Sequence, residues 1–555
     1  MVVHDSMNQI FESADRVIEG EVISKHSVVS ESGSIITVNK INVNREFGVN
    51  QTEAQITVIT EGGVVGNLAQ VVYPSVTLNV SSTVVLTLKE SQLGLLVNQA
   101  YTFDKVDFKY STPSGSLQPH ALYHSVMYAM HTELVSIVSE LEEPIMDTRA
   151  AAPQIASFSP SVISAGTLEE LTITGLGFGS IQGSGRVCFR NADDGGQSVV
   201  SLPPGPHYTY WSNSVIKVLV PSSMLFGNVI AGTGTVRVTT NGGETSTSTQ
   251  DLNVNYAHGA VIYEEEIGQT SLIGTVNGGY ELSQGPTLAS LLGGSHLLQK
   301  SIDKWACNTG INFNLNGNEQ VAEVFDMDEI NVIGMAAPGA LPSNVLGKTI
   351  TTFSACGGGN GLEWQLREVD ILFNPAINWY MGEGIPPTGT FDLQTVMMHE
   401  LGHAHLLQHN NKEESVMHFE LNENASKRFL NNETDVLGGS AIVDRSVYDA
   451  AVCSSDRMEF FNDTECDLGL VNSIDRADAI KLVVAPNPSN GNINISGIEL
   501  GESFVITDFS GRTVYTNTHN TGGSFIVNLS NLHAGVYILL VIGTTSPKTQ
   551  KLVIQ

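Results

Sequence analysis

At 555 residues the chain exceeds what one hydrophobic core supports, so roughly three to five domains are expected. Its 57 acidic against 26 basic residues give a formal charge of −31, which repels a phosphate backbone and argues against nucleic-acid binding. Abundant glycine, few charged residues and short alternating runs of Thr, Ser, Val and Asn favour small β-domains, and no apolar run reaches transmembrane length.

Met1 to Glu21 lacks a basic n-region and an apolar h-region, so no signal peptide is visible. Residues 1–115 alternate in the strand manner, as in Arg16–Ile23 and Ala54–Ile59, and predict a small β-barrel or sandwich without a chemical motif. In residues 116–152, Val126, Met130, Leu134, Ile137, Val138 and Leu141 have helical spacing, ended by Pro144. His120, His124 and His131 could form a metal face on that helix. No carboxylate or cysteine pattern completes one, and a plain amphipathic helix is the simpler expectation.

Residues 153–256 open with Pro153-Gln154-Ile155, Ser159-Pro160, Ala165-Gly166 and Leu171–Gly179, and continue with strand-like Val215–Pro221 and Thr235–Thr239. This segment resembles an IPT/TIG domain, which implies an immunoglobulin-like β-sandwich acting as a spacer or weak binding module. Its glycines read as turn residues, since no GK[ST] follows to make a phosphate loop.

Residues 257–470 carry the chemistry. Leu297–Trp305 has helical spacing, Ile311–Phe313 reads as a strand, and Gly357–Gly361 reads as a surface turn. Then comes HELGHAHLLQH, His399 to His409, followed by Ser415-Val416-Met417-His418. His399 and His403, four apart, project from one helix face and suit a tetrahedral Zn2+. Glu400 can act as general base on a water made acidic by the metal. His409 is the candidate third ligand, but a continuous helix would point it away, so the chain must turn after His403.

With Met417 eight residues further on, this pattern resembles the metzincin signature H-E-x-x-H-x-x-G-x-x-H and its Met-turn. Thr388–Val396 and Val369–Asn374 look like the corresponding segments of matrixins, so the resemblance spans about Ile262 to Cys453. It implies a zinc endopeptidase with His399, His403 and His409 as ligands, Glu400 as base and Met417 beneath the metal. A structural Ca2+ is compatible with it. The departure is Leu406, which stands where the family has glycine: a leucine in a left-handed turn costs roughly 1–2 kcal/mol. Either the turn is made differently, or the third ligand is another group such as Glu420; His405 points the wrong way. Phe419 stands where astacins place a zinc-binding tyrosine and offers no oxygen, and His418 is expected at the pocket rim. The Pro-Arg-Cys-Gly cysteine switch of matrixins is absent from the N-terminal block, where a propeptide role remains open.

Of five cysteines, Cys453 with Cys466 and Cys307 with Cys356 are plausible bridges, leaving Cys188 as a buried thiol. Residues 483–555 contain Ala485–Gly491, Asp508–Arg512, Leu532–Tyr537 and Lys551–Ile554 in an order that resembles the C-terminal sorting domain of type IX secretion cargo. That implies the type IX machinery as a partner and a secreted or cell-surface location on a Gram-negative bacterium. The sequence thus predicts a multidomain chain, with an α+β metzincin-like catalytic domain flanked by all-β barrel or sandwich and immunoglobulin-like domains. A secreted zinc endopeptidase acting on proteins or peptides is the leading function. The rivals are a surface adhesin or glycan-binding protein with an inactive metzincin-like domain, and a scaffold with structural zinc.

Overall fold

The structure is a computed structural model. It describes residues 1, 15–30, 33–47, 53–75, 77–81, 83–90, 100–103, 110–112, 152–224, 229–263, 266–275, 277–358, 361–449, 456–461 and 466. In the C-terminal region it describes 483–485, 489, 491–500, 503–508, 512–517, 521–533, 535–542 and 548–554. The expected helix in 116–152, with His120, His124 and His131, lies outside the described residues. Residues Met1–Asp463 form one compact unit and Thr464–Gln555 another.

The N-terminal strands are β1 (Arg16–Val29), β2 (Ile35–Glu46), β3 (Gln55–Glu61), β4 (Gly63–Val65), β5 (Leu68–Tyr73), β6 (Thr83–Glu90), β7 (Ala100–Phe103) and β8 (Tyr110–Thr112). The order β1-β2-β3-β7-β6 closes on itself through a β1–β6 pairing, which makes a barrel around Ile18, Val22, Ile41, Val58 and Leu86. The hairpin β4–β5 leaves this barrel and joins another sheet.

The middle segment contains β9 (Gln154–Ser159), β10 (Val162–Ala165), β11 (Glu170–Leu176), β12 (Arg186–Asn191), β13 (Val199–Leu202), β14 (Tyr208–Trp211), β15 (Val215–Leu219), β16 (Ser222–Ser223), β17 (Val229–Thr239) and β18 (Thr245–Ala257). One sheet has the order β14-β15-β11-β9; the other is built from β10, β18, β17, β12 and β13. Alternating apolar residues such as Ile173, Val187, Val218, Val236 and Leu252 form a separate core.

The third segment contains β19 (Ala260–Tyr263), β20 (Glu266–Ser271), β21 (Ile273–Gly274), β22 (Tyr280–Gln284), α1 (Pro286–Ser290), α2 (Gly294–Thr309), β23 (Phe313–Gln320), β24 (Asn331–Met335), β25 (Gly347–Gly358) and β26 (Gly361–Phe373). Strands β23, β22, β24 and β26 run parallel, and β25 is antiparallel to β26. The short strands β27 (Trp379–Tyr380) and β28 (Phe391–Asp392) lead into α3 (Leu393–Ala404). Helix α3 packs on α2, with the Trp305 indole N–H donating to the Met398 carbonyl at 2.8 Å. From the sequence a further helix is expected after Met417, near Asp435 or Arg445 to Ala451. In the structure it is α4 (Leu437–Asp444), flanked by wider turns at Asn432–Val436 and Arg445–Asp449 and followed by β29 (Asp456–Arg457), which pairs with β21.

The sheet of the third segment does not stop at that segment. On one side it runs through β20, β19 and β16 into β17 of the middle segment. On the other side β5 adds to β25, from Leu68 opposite Ser354 to Tyr73 opposite Thr349. Cys307, Cys356 and Cys466 are disulfide-bonded and Cys188 is a free buried thiol; Cys453 lies outside the described residues. In the second unit, β30 (Val483–Ala485), β31 (Asn492–Leu500) and β34 (Thr521–Asn528) form one sheet. The strands β33 (Thr513–Asn517), β32 (Ser503–Asp508), β35 (Gly535–Ile542) and β36 (Lys548–Ile554) form another, around Ile495, Phe504, Ile506 and Leu539.

Burial, with Glu368, Asp328 and Asp326 nearby, pushes the Asp370 carboxyl on β26 up to about 9. An unfolded aspartate ionises near 3.9, so the unfolded chain releases this proton first and the contribution to stability is lost as pH rises from about 4 toward 9. Asp370→Asn does not titrate. Its stability relative to wild type, measured by urea unfolding across that range, is expected to rise steadily with pH; a pH-independent difference would contradict the burial argument.

Candidate metal centre

Helix α3 begins at an N-cap, Asp392, whose Oδ1 accepts from the Thr395 N–H and hydroxyl, both at 2.8 Å. Arg428 clamps the same carboxylate, with Nε at 2.9 Å from Oδ2. The helix ends at Ala404, and Leu406 takes φ +69°. The leucine therefore adopts the left-handed conformation for which the metzincin signature uses glycine. Two things offset the strain: its side chain is buried in the main core, and the chain around it is held from outside. The Leu406 carbonyl accepts from Gly259 N–H at 3.0 Å, and Gln408 N–H donates to the Ala257 carbonyl at 2.8 Å.

This turn brings His409 to His399 and His403. One ring nitrogen from each of the three lies within 4.8 Å of the others, and all three side chains are buried or nearly so. Each Nδ1 faces an oxygen: His399 the Val416 carbonyl at 2.8 Å, His403 the Leu407 carbonyl at 2.9 Å, and His409 the Asp193 carboxylate at 2.7 Å. Burial pushes His399 and His403 well below the ordinary histidine range and His409 down to about 3, with the Met1 ammonium and neighbouring imidazoles adding to it. Neutral rings that donate through Nδ1 keep a lone pair on Nε2. All three Nε2 atoms are buried with no hydrogen-bond partner. Three orphaned imidazole nitrogens facing one another fit a zinc ion, which takes imidazole donors in tetrahedral geometry.

Glu400 is fully buried beside them. Its Oε2 accepts from the Thr349 hydroxyl at 2.6 Å and its Oε1 lies 2.7 Å from the Met1 ammonium. A Cβ at Gly347 would stand 2.8 Å from Oε1, so glycine keeps the edge of β25 close to this carboxylate. Met417 lies beneath the helix, where a Cβ on Gly402 would meet its sulfur at 2.1 Å. The Met-turn is fixed by Asp435, which accepts from the Val416 N–H at 2.9 Å and from the Ser415 hydroxyl. His405 points elsewhere, its Nε2 2.9 Å from the Thr309 hydroxyl, and His418 and Glu420 stand outside the histidine cluster. Phe419 packs into a small apolar cluster with Ala336 and Val345.

Sequence reasoning missed four contributors. Asp193 lies in the middle segment, and Asp435 belongs to no motif of its own. Gln408 takes a hydrogen bond from the Tyr73 hydroxyl, and the Tyr73 ring is stacked on His403 at 4.3 Å between centroids.

Residues 296–442 match the family model of the matrixins, and residues 483–555 match the secretion system C-terminal sorting domain. The matrixin match supports a metallopeptidase, and the sorting domain marks a secreted or cell-surface protein. Among solved structures, PorZ, an essential surface component of the type-IX secretion system of Porphyromonas gingivalis, is similar over 14% of this chain and 12% of its own, at 24% identity and a TM-score of 0.13. A BSP domain of a biofilm associated protein aligns over 96% of this chain and 81% of its own, at 8% identity and a TM-score of 0.12. The chain thus spans only 12% of the length of PorZ. Comparison with curated proteins yields no match.

The balance at Leu406 can be measured. Leu406→Gly relieves about 1–2 kcal/mol of backbone strain but forfeits burial of a core leucine worth about 2–5 kcal/mol. A net loss of roughly 1–3 kcal/mol is expected in urea unfolding followed by tryptophan fluorescence. A more stable variant would show that strain outweighs packing here.

Proposed function

We propose that this chain is a secreted zinc endopeptidase of the matrixin type. The observation that carries this reading is the set of three buried, partnerless Nε2 atoms of His399, His403 and His409, with Glu400 next to them. Zinc held there supplies a Lewis acid that polarises the scissile carbonyl and acidifies the attacking water. Glu400 takes the proton from that water and returns it to the leaving amine. The Thr349 hydroxyl holds Oε2 and so orients the carboxylate, while Oε1 is paired with the Met1 ammonium. Met417 supports the helix from below and is not a ligand. A substrate in extended form adds to the outer edge of β25, whose Gly347–Thr349 end lies against Glu400. The middle segment is read as an immunoglobulin-like IPT/TIG domain.

The rival reading, an adhesin with an inactive peptidase domain, needs a lesion in the site, and Leu406 is the one departure from the signature there. With the turn closed and His409 in the cluster, that reading loses the feature it rested on.

Glu400→Ala tests the role of the base. Both proteins are expected to bind about one zinc each, in line with the three-histidine site. Hydrolysis of unfolded protein, followed before and after limited proteolysis of the N-terminal block, is expected to fall by about 10²-fold or more in the variant. Chelator should silence the wild type. A variant as active as wild type would remove Glu400 from the chemistry.

A further inference from the structure

The segment that carries the third histidine is built largely on the middle β segment. Asn411 Oδ1 accepts from the Thr233 N–H and its Nδ2 donates to the Thr233 carbonyl, both at 2.8 Å. Asn410 donates to the Asn255 carbonyl at 2.8 Å, and Gln408 N–H to Ala257. The short turn after β12 then presents Asp193, 216 residues away in sequence, to His409 Nδ1 at 2.7 Å. Asn191 fixes that turn by accepting the Asp193 N–H at 3.1 Å. We infer that Asp193 is a positioning residue for the metal site: it holds His409 as the Nδ1–H tautomer and aims Nε2 at the ion, so the middle domain completes the centre. His399 and His403 receive the same service from backbone carbonyls, which no substitution removes. His409 alone depends on a side chain, and a carboxylate behind a ligating imidazole raises its basicity as well as fixing its ring.

This inference rests on the three-histidine reading, and zinc affinity separates the two. In the full chain, Asp193→Ala is expected to weaken zinc binding by about 10–100-fold in chelator competition. Asp193→Asn keeps an acceptor oxygen and is expected to recover most of that loss. In nitrogen-15 spectra of the metal-free protein, His409 should hold one tautomer in wild type and Asp193→Asn, and a mixture in Asp193→Ala. Unchanged affinity and an unchanged tautomer in Asp193→Ala would overturn the inference while leaving the site intact. A wild type that binds no zinc would instead overturn the site reading, and this one with it.

A separate observation concerns the cleft. Six residues of β5 lie antiparallel along the outer edge of β25, with Ala69, Val71 and Tyr73 buried in the main core. Gln70 reaches Thr352 at 3.4 Å, and the strand ends with Tyr73 stacked on His403. We propose that Leu68–Tyr73 is a resident occupant of the edge where an extended substrate would add, and that it must leave before substrate binds. Locking it is the direct test. Gln70 and Thr352 are cross-strand partners, so Gln70→Cys with Thr352→Cys places two thiols for a bridge across the strands. The oxidised full chain is expected to show no hydrolysis and the reduced chain the wild-type rate, with wild type carried through the same oxidant and reductant. Equal rates in both forms would overturn the proposal. If every form is inert even after limited proteolysis of the N-terminal block, the peptidase reading fails on its own. Binding of a fluorescent extended peptide then decides the cleft question: reduced form only supports occupancy, and both forms alike overturns it.

Discussion

The whole site depends on which nitrogen of each histidine is tied down. Val416 and Leu407 carbonyls and the Asp193 carboxylate each take an Nδ1, and that choice turns three Nε2 lone pairs toward one point. Leaving such atoms without partners is costly in a buried setting, unless something binds them. The rest of the architecture serves this arrangement. Asp392 starts the helix, Met417 supports it against Gly402, and Asp435 holds the turn that offers the Val416 carbonyl.

Backbone pairing joins three segments that composition would divide. β16 and β19 link the middle segment to the sheet of the third segment, and β5 links the N-terminal barrel to the opposite edge of that sheet. The first link places Asp193 and the Thr233 contacts against the ligand-bearing loop. The second covers the edge beside Glu400. Neither β segment merely spaces the others: the middle one holds the loop that carries His409, and β5 of the N-terminal one lies along the edge beside Glu400.

The parts legible in sequence are those fixed by local spacing. The four-residue spacing of His399 and His403 imposes one helix face, and the placement of Met417 follows from a short turn. The alternation of Arg16–Ile23 falls within β1, the spacing of Leu297–Trp305 within α2, and the thiol expected at Cys188 is free and buried. At Leu406 local reasoning identified the conflict but could not resolve it, because the forces that hold the turn come from Ala257 and Gly259. Asp193 was illegible for the same reason: an aspartate in a turn signals its partner only through tertiary contact. Nothing in Leu68–Tyr73 distinguishes it from its neighbours, since alternation sets which face is buried and says nothing about which sheet the strand joins.

The most direct measurement of the central claim is zinc-edge X-ray absorption on the metal-loaded full chain. Three imidazole nitrogens at about 2.0–2.1 Å and one further light donor are expected. A sulfur donor, or fewer than three imidazoles, would place the metal elsewhere and contradict the site built on His399, His403 and His409.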